Sequence, residues 1–241
     1  MKTVLLVASV ASAIAASANA GFLGFTGFTY IASNGNRVID VFAVVSNSSD
    51  KLLNVYNANI TNNAGAGGAT FFTQQAGLAT RGWKPDAATS SRSNTVDSFM
   101  TIGVDGGAPY EGQYYASAAT GADGGFTSGW STLGNTIPAN AGWFLSPPTL
   151  PDSVAESLSG MTGTRVNLGP AGQDGTLGVW CAHMVMSGDT TSCLWGATAA
   201  VKDGVTGLVS TGSVAAGQLI PAPGAIALMG LAGFAARRRR A

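Results

Sequence analysis

The chain has 241 residues, enough for one sizeable core, and it is poor in charge, with twelve Lys plus Arg, twelve Asp plus Glu and one histidine. Its 34 glycines are about twice the usual share, and Ser, Thr and Asn are frequent. That mixture excludes long solvent-facing helices, which need Glu, Lys, Arg and Gln, and it excludes a basic nucleic-acid-binding surface.

The N-terminus predicts a signal peptide over residues 1–20. Lys2 supplies the positive start, residues 4–16 the apolar stretch, and Ala18-Asn19-Ala20 an A-x-A cleavage site before Gly21. Lys2 and the four arginines at 237–240 hold five of the twelve basic residues. The body over residues 21–218 is left with seven basic and twelve acidic groups, a balance of −5 (7 − 12). Such a surface disfavours nucleic acid and anionic membrane as partners of the body.

Short strands joined by tight turns are expected through that body. Residues 25–32 predict a first strand. Residues 37–45 read RVIDVFAVV, a β-branched and aromatic run suited to a strand covered on both faces. Residues 51–60 read KLLNVYNANI, with Leu52, Tyr56, Ala58 and Ile60 on one parity for the core. The intervening Ser46-Asn47-Ser48-Ser49-Asp50 is a turn cluster, so 37–45 and 51–60 are expected as a hairpin. Further strands are predicted at 69–73, 98–104, 178–186, 191–201 and 207–215, punctuated by Asp-Gly steps at 105–106, 123–124, 174–175 and 203–204. Residues 105–147 show no clear period and read as long loops with one or two strands. Ser153-Val154-Ala155-Glu156 matches a capping box, which predicts at most two helical turns ending at Gly160.

Catalytic chemistry finds little footing. The single histidine, His183, lies inside an apolar strand, no Gly-x-Ser-x-Gly elbow or His-Glu-x-x-His motif occurs, and Glu111 and Glu156 are the only glutamates. A secreted polysaccharide hydrolase would need one of them with an aspartate, or two aspartates, and Asp105, Glu111 and Asp123 in the Trp- and Tyr-flanked region are the best-placed candidates. Calcium is not favoured, since no Asp-x-Asp-x-Asp spacing appears; no cofactor, metal or catalytic residue is expected. The sequons at Asn47 and Asn59 are read as coincidental. Binding has more support: Tyr110, Tyr114, Tyr115, Trp130 and Trp143 cluster in the loop-rich middle, where rings could stack on sugars of an extracellular polysaccharide. The competing role for these rings is to fill the core.

Cys181 and Cys193 are the only cysteines. In an exported protein an even pair usually oxidises, and strands at 178–186 and 191–198 around Ser187-Gly188-Asp189-Thr190 would set the two nearly opposite each other. A Cys181–Cys193 disulfide is expected, with two buried free thiols as the alternative.

Residues 208–220 read as a linker to the tail. There Pro221-Ala222-Pro223 leads into the apolar run 224–236, which ends in Arg237, Arg238, Arg239 and Arg240. Thirteen helical residues reach about 20 Å and eighteen, counted from Leu219, about 27 Å, against a hydrocarbon core of about 30 Å. Snorkelling arginines make up part of the deficit, and their charge belongs on the cytoplasmic side. This tail resembles a PEP-CTERM sorting signal, the label that exosortase-type membrane proteases recognise in exporting Gram-negative bacteria, in a variant with Ala222 where the name-giving motif has glutamate.

The expected organisation is a signal peptide (1–20), an all-β domain (21–207) built as an antiparallel β-sandwich of the jelly-roll or immunoglobulin-like kind, a linker (208–220) and a sorting tail with a short apolar transmembrane helix (221–241). The resemblance implies an exported, non-catalytic protein of the cell surface or extracellular matrix. It would be anchored in the inner membrane as a precursor and processed by signal peptidase and an exosortase-like enzyme. A carbohydrate-binding or adhesive module and a secreted hydrolase are the alternatives.

Overall fold

A computed structural model describes residues 21–64, 72, 82–85, 90–103, 113–118, 121–127, 130, 136–146, 153, 155–168, 175–186 and 190–221. The signal peptide with Ala18 and Ala20, the tail from Ala222 through Pro223 to Arg240, Tyr110, Asp105 and Glu111 lie outside the described residues, as does most of the strand expected at 69–73.

The first seven strands are β1 (Phe22–Ile31), β2 (Arg37–Val45), β3 (Lys51–Ala58), β4 (Thr61–Ala64), β5 (Phe99–Met100), β6 (Tyr114–Ala118) and β7 (Gly121–Asp123). They are followed by β8 (Ala141–Leu145), β9 (Glu156–Ser157), β10 (Thr164–Asn167), β11 (Leu177–Met186), β12 (Thr190–Lys202) and β13 (Val209–Pro221). The fold is all-β, and every strand pair is antiparallel. One sheet runs β10-β1-β2-β11-β5, with β9 also on β11; the other runs β13-β12-β3-β8-β6-β7, with β4 also on β12.

The central strands show why the sequence takes this form. All nine residues of β2 are buried. One parity, Ile39, Val41, Ala43 and Val45, joins the main core together with Leu52, Val55, Trp143 and Trp195 of the other sheet. The opposite parity, Phe42 and Val44, packs into a second cluster with Phe28, Phe99, Leu158 and Trp180 on the far face of the first sheet. The unbroken apolar run of β2 is thus the signature of a strand covered on both faces.

Two expected hairpins turn out to be crossings between the sheets. β2 pairs with β1 and β11, whereas β3 pairs with β12 and β8. The 46–50 segment therefore turns a corner. Asp50, fully buried, accepts from Ser46 Oγ (3.1 Å), the Asn47 amide (3.0 Å) and the Gly204 amide (3.0 Å). A Cβ at Gly204 would fall 2.3 Å from the Ser49 carbonyl oxygen, so only glycine fits where the corner meets the β12–β13 turn. In the same way β11 belongs to the first sheet and β12 to the second. Turn residues report a chain reversal, but not whether the next strand hydrogen-bonds to the last one or packs across the core from it.

Other departures are local. In β3 a register shift against β12 near Leu52, and Asn57 at φ 48° beside a second shift against β8, move the core face to Leu52, Val55, Ala58 and Ile60, leaving Tyr56 half-buried. Residues 155–160 do not form the expected helix: Glu156–Ser157 is β9, paired with Leu177 and Gly178. A four-residue capping signal cannot hold a helix against strand pairing and the burial of Leu158. Three strands, β6, β7 and β8, occupy the stretch expected as mostly loop. The 208–220 segment, expected as a linker although 207–215 was also expected as a strand, is almost entirely β13, bonded along β12 from Lys202↔Val209 to Ser192↔Pro221.

Trp143 of β8 ties the sheets together. Its indole N–H reaches the carbonyls of Thr101 (3.1 Å) and Cys181 (3.0 Å), both across the core, and its ring meets Trp130 and Trp195 edge-on at 6.4 and 6.5 Å. Trp143→Ala should lower unfolding free energy in urea by about 3–5 kcal/mol. Trp143→Phe, which keeps most of the ring but removes the N–H shared by two carbonyls, of which Cys181 still accepts from the Thr101 amide (3.2 Å), should cost about 1 kcal/mol; equal midpoints for wild type and Trp143→Phe would show that the bridge carries no stability.

Candidate functional site

Among the described residues, the aromatics singled out for sugar stacking do not form an exposed platform. Tyr114 and Trp143 are fully buried and Trp130 is 3% exposed. The Tyr114 hydroxyl is held among Thr101 Oγ1 (3.1 Å), the Ile102 carbonyl and the Ile102 amide. Trp130 lies against Phe126, Trp83 and Trp143. Tyr115 alone is half-buried, stacked on Phe144 at 5.6 Å. The core claims these rings because each removes a large apolar area from water.

The cysteines are also placed differently from expectation. Both are free and buried. Cys181 sits on β11 and donates weakly to the Val41 carbonyl (3.2 Å), while Cys193 sits on β12 in the other sheet. The hairpin that would have set them opposite each other is not formed. Burial pushes the Cys181 thiol well up, and it raises Cys193 to about 12, with the Arg37 guanidinium pulling slightly the other way.

Of the remaining predicted positions, Gly21 begins the described body: its amide donates to Ser46 Oγ (2.9 Å), and its carbonyl accepts from the Ser46 amide (3.1 Å). Pro221 is the last residue of β13.

The site that the structure does assemble lies on the outer face of the first sheet. Phe28 and Tyr30 from β1 and Asp40 and Phe42 from β2 floor a half-open cleft of about 550 Å³, walled by Ser91-Arg92-Ser93 and Gly160-Met161-Thr162. The wall segments are fixed by hydrogen bonds to the sheet and its turns. Asn34 and Asn36 donate side-chain amides to the Thr95 carbonyl (3.0 and 2.8 Å), and Ser98 Oγ bonds the Val185 carbonyl and amide. Gly163, at φ 106°, lets its segment pass against the Thr29 backbone, where a Cβ would come within 2.8 Å of the carbonyl oxygen.

Beneath the cleft runs a polar network. Asp40 Oδ1 accepts from Trp180 Nε1 (3.0 Å) and meets His183 Nδ1 at 2.7 Å, while His183 Nε2 meets the Asn94 carbonyl at 2.9 Å. A carbonyl only accepts, so Nε2 carries a proton; the short Nδ1···Oδ1 contact then holds a second proton on the ring or on the carboxyl. His183 is fully buried, stacked on Phe99 at 4.9 Å and edged by Trp180. With both nitrogens occupied and the ring enclosed, it serves as a brace for Asp40. Arg92 lies 5.2 Å over the Trp180 ring and pairs with Glu156 at 3.0 Å. The Tyr30 hydroxyl donates to the Arg92 carbonyl at 3.4 Å, and burial, then the Asp40 charge, raise its phenol.

Sequence inspection passed over Asp40, Tyr30 and Arg92. One signal was present: a lone acid inside the apolar run 37–45, matched by a lone histidine inside another at 178–186. A polar residue in a doubly covered strand must find a partner, and these two found each other. Among the described residues no group of three or more His, Cys, Asp or Glu is placed to hold a metal ion.

Comparison with protein-family models, with curated proteins and with solved structures returned no match.

Both thiols should resist aromatic-disulfide reagents in the native protein and react fully in denaturant, with no two-hydrogen mass deficit; a deficit would restore the disulfide. The Cys193 thiol stays protonated while the unfolded chain's thiol ionises at about 8.5. The folded state then binds more protons, so this group's contribution to stability is lost as pH rises from about 9 toward 12. Urea titrations across that window should show a shallower pH slope for Cys193→Ala than for wild type.

Proposed function

We propose that this chain is an exported, non-catalytic protein of the cell surface or extracellular matrix, a β-sandwich delivered by a cleavable N-terminal signal and sorted by its C-terminal tail. The observation that carries this is the order Pro221-Ala222-Pro223, apolar run, four arginines. Export places the body on the far side of the inner membrane. The tail's apolar run holds the precursor there, with the arginines on the cytoplasmic face. An exosortase-type protease then cuts near the proline motif and frees the body.

Two structural features agree with this scheme. Residues of both sheets share one core, as a sandwich requires. β13 runs to Pro221, the first residue of the proline motif, so a cut beyond that motif would leave every described strand in place. The enclosed His183 and the charge-poor body support a non-catalytic role. Among the described residues no helix is long and apolar enough to cross a membrane; the segment proposed to do so is the tail.

Expression of the full chain in an exosortase-bearing host, followed by fractionation and intact-mass measurement, tests this. Wild type should pass from a membrane-bound precursor to a shorter surface or extracellular form lacking both ends. Deletion of 222–241 should abolish membrane retention, and replacing the arginines at 237–240 with alanine should slow or misdirect processing. An unchanged destination and mass in the deletion would refute the sorting role.

A further inference from the structure

We infer that the cleft over β1 and β2 is a binding site for a neutral, hydroxyl-rich ligand the size of one or two sugar rings, with Asp40 as its fixed acceptor. At about 550 Å³ it falls within the range of small-ligand sites. The half-buried Tyr30 and Met161 offer it apolar surface, with Phe28, 5% exposed, and the fully buried Phe42 packed beneath them. The C–H face of a sugar ring can lie against Tyr30 and Met161.

The polar groups around them suit hydroxyls. Asp40 is 6% exposed. Its Oδ1 is held by the Trp180 and His183 donors, whereas Oδ2 takes no hydrogen bond from the described residues and belongs to a side chain that lines the cleft. A carboxylate with one oxygen clamped has lost its rotational freedom before any ligand arrives, so little ordering remains to be done on binding. Hydrogen bonds to a charged acceptor in a partly desolvated site are also the stronger kind. Ser91 and Ser93, whose hydroxyls lie 3.0 Å apart, together with Thr162 and the Tyr30 hydroxyl, add groups able both to donate and to accept.

Charge selects against ionic ligands. Arg92 is engaged by Glu156 and by the Trp180 ring, and Asp40 by His183, so an ionic ligand finds little uncompensated counter-charge. The Arg165 guanidinium, 5.9 Å from the Phe28 ring, further disfavours a cation. A neutral polyol meets neither penalty. None of these residues lies in the tail, so the site stands or falls apart from the sorting proposal.

The test is a calorimetric or ligand-observed NMR titration of the full chain in a detergent without a sugar headgroup. Probes are glucose, N-acetylglucosamine and cellobiose, with glucuronate and tetramethylammonium as charged controls. At least one neutral sugar should bind, and both charged probes should bind more weakly. Asp40→Asn, which retains an oxygen for Trp180 and His183, should weaken binding about tenfold or more. Tyr30→Phe removes the hydroxyl and its 3.4 Å bond to the Arg92 carbonyl, whereas Ser93→Ala and Thr162→Ala change exposed rim positions; each should weaken binding several-fold, the last two with an unchanged melting temperature, so they decide the matter even if Asp40→Asn fails to fold. No sugar binding at tens of millimolar, binding unchanged in all three rim variants, or tighter binding of tetramethylammonium would each overturn the assignment.

Discussion

Two sheets with few charges and many glycines need something to fix their relative position, and the Trp143 indole supplies it. One N–H spans the core to two carbonyls of the opposite sheet's side, Thr101 and Cys181. Its ring is one link in a series of edge-on contacts, with one tilted pair at Trp83–Trp130, running Phe72, Trp83, Trp130, Trp143, Trp195, Phe25 and Phe22. Hydrophobic burial alone is non-directional and would let the sheets slide. A buried N–H with two acceptors has an orientation, and edge-on rings have a preferred geometry. The remaining arrangement follows from that constraint. β8 must be central in its sheet for Trp143 to reach across, and the loop aromatics must then pack inward around it.

The outer face of the first sheet obeys a different rule. β2 and β11 are apolar on both parities, so that face cannot be left to water. Segments 90–98 and 156–163 cover it incompletely, and the gap between them is the cleft. Asp40 and His183 are the polar residues this cover encloses. Each would be costly to bury alone, and each becomes tolerable through the other, with Trp180 and the Asn94 carbonyl completing the set. The same network that makes the two residues acceptable in the fold leaves one edge of Asp40 oriented toward the opening.

Much of the strand inventory was legible because each strand is short, patterned and bounded by turn residues. Arg37–Val45 was read to the residue, and Leu177–Met186 and Thr190–Lys202 to within one. The errors share a cause. Asn57 and the irregularities in β3 reverse the inward parity, and a period-two reading has no term for a bulge. Residues 207–215 were expected as a strand while 208–220 also read as a linker, because small, weakly polar residues carry no amphipathic signal; pairing along β12 decides for the strand. Trp130, Tyr114 and Trp143 looked available because flanking glycines resemble surface loop, yet large rings follow burial, not the flexibility of their neighbours.

Composition and local pattern alone determined that this chain is all-β, that its turns sit near Ser46–Asp50 and Asp203-Gly204, and that its tail runs from Pro221-Ala222-Pro223 through an apolar stretch to four arginines, because these depend only on residues adjacent in the chain. Which sheet each strand joins, whether Cys181 and Cys193 face one another, and where a cleft opens were decided by the tertiary structure. Those outcomes hinge on contacts between residues far apart in sequence. His183 and Asp40 are 143 positions apart, and no local window contains both.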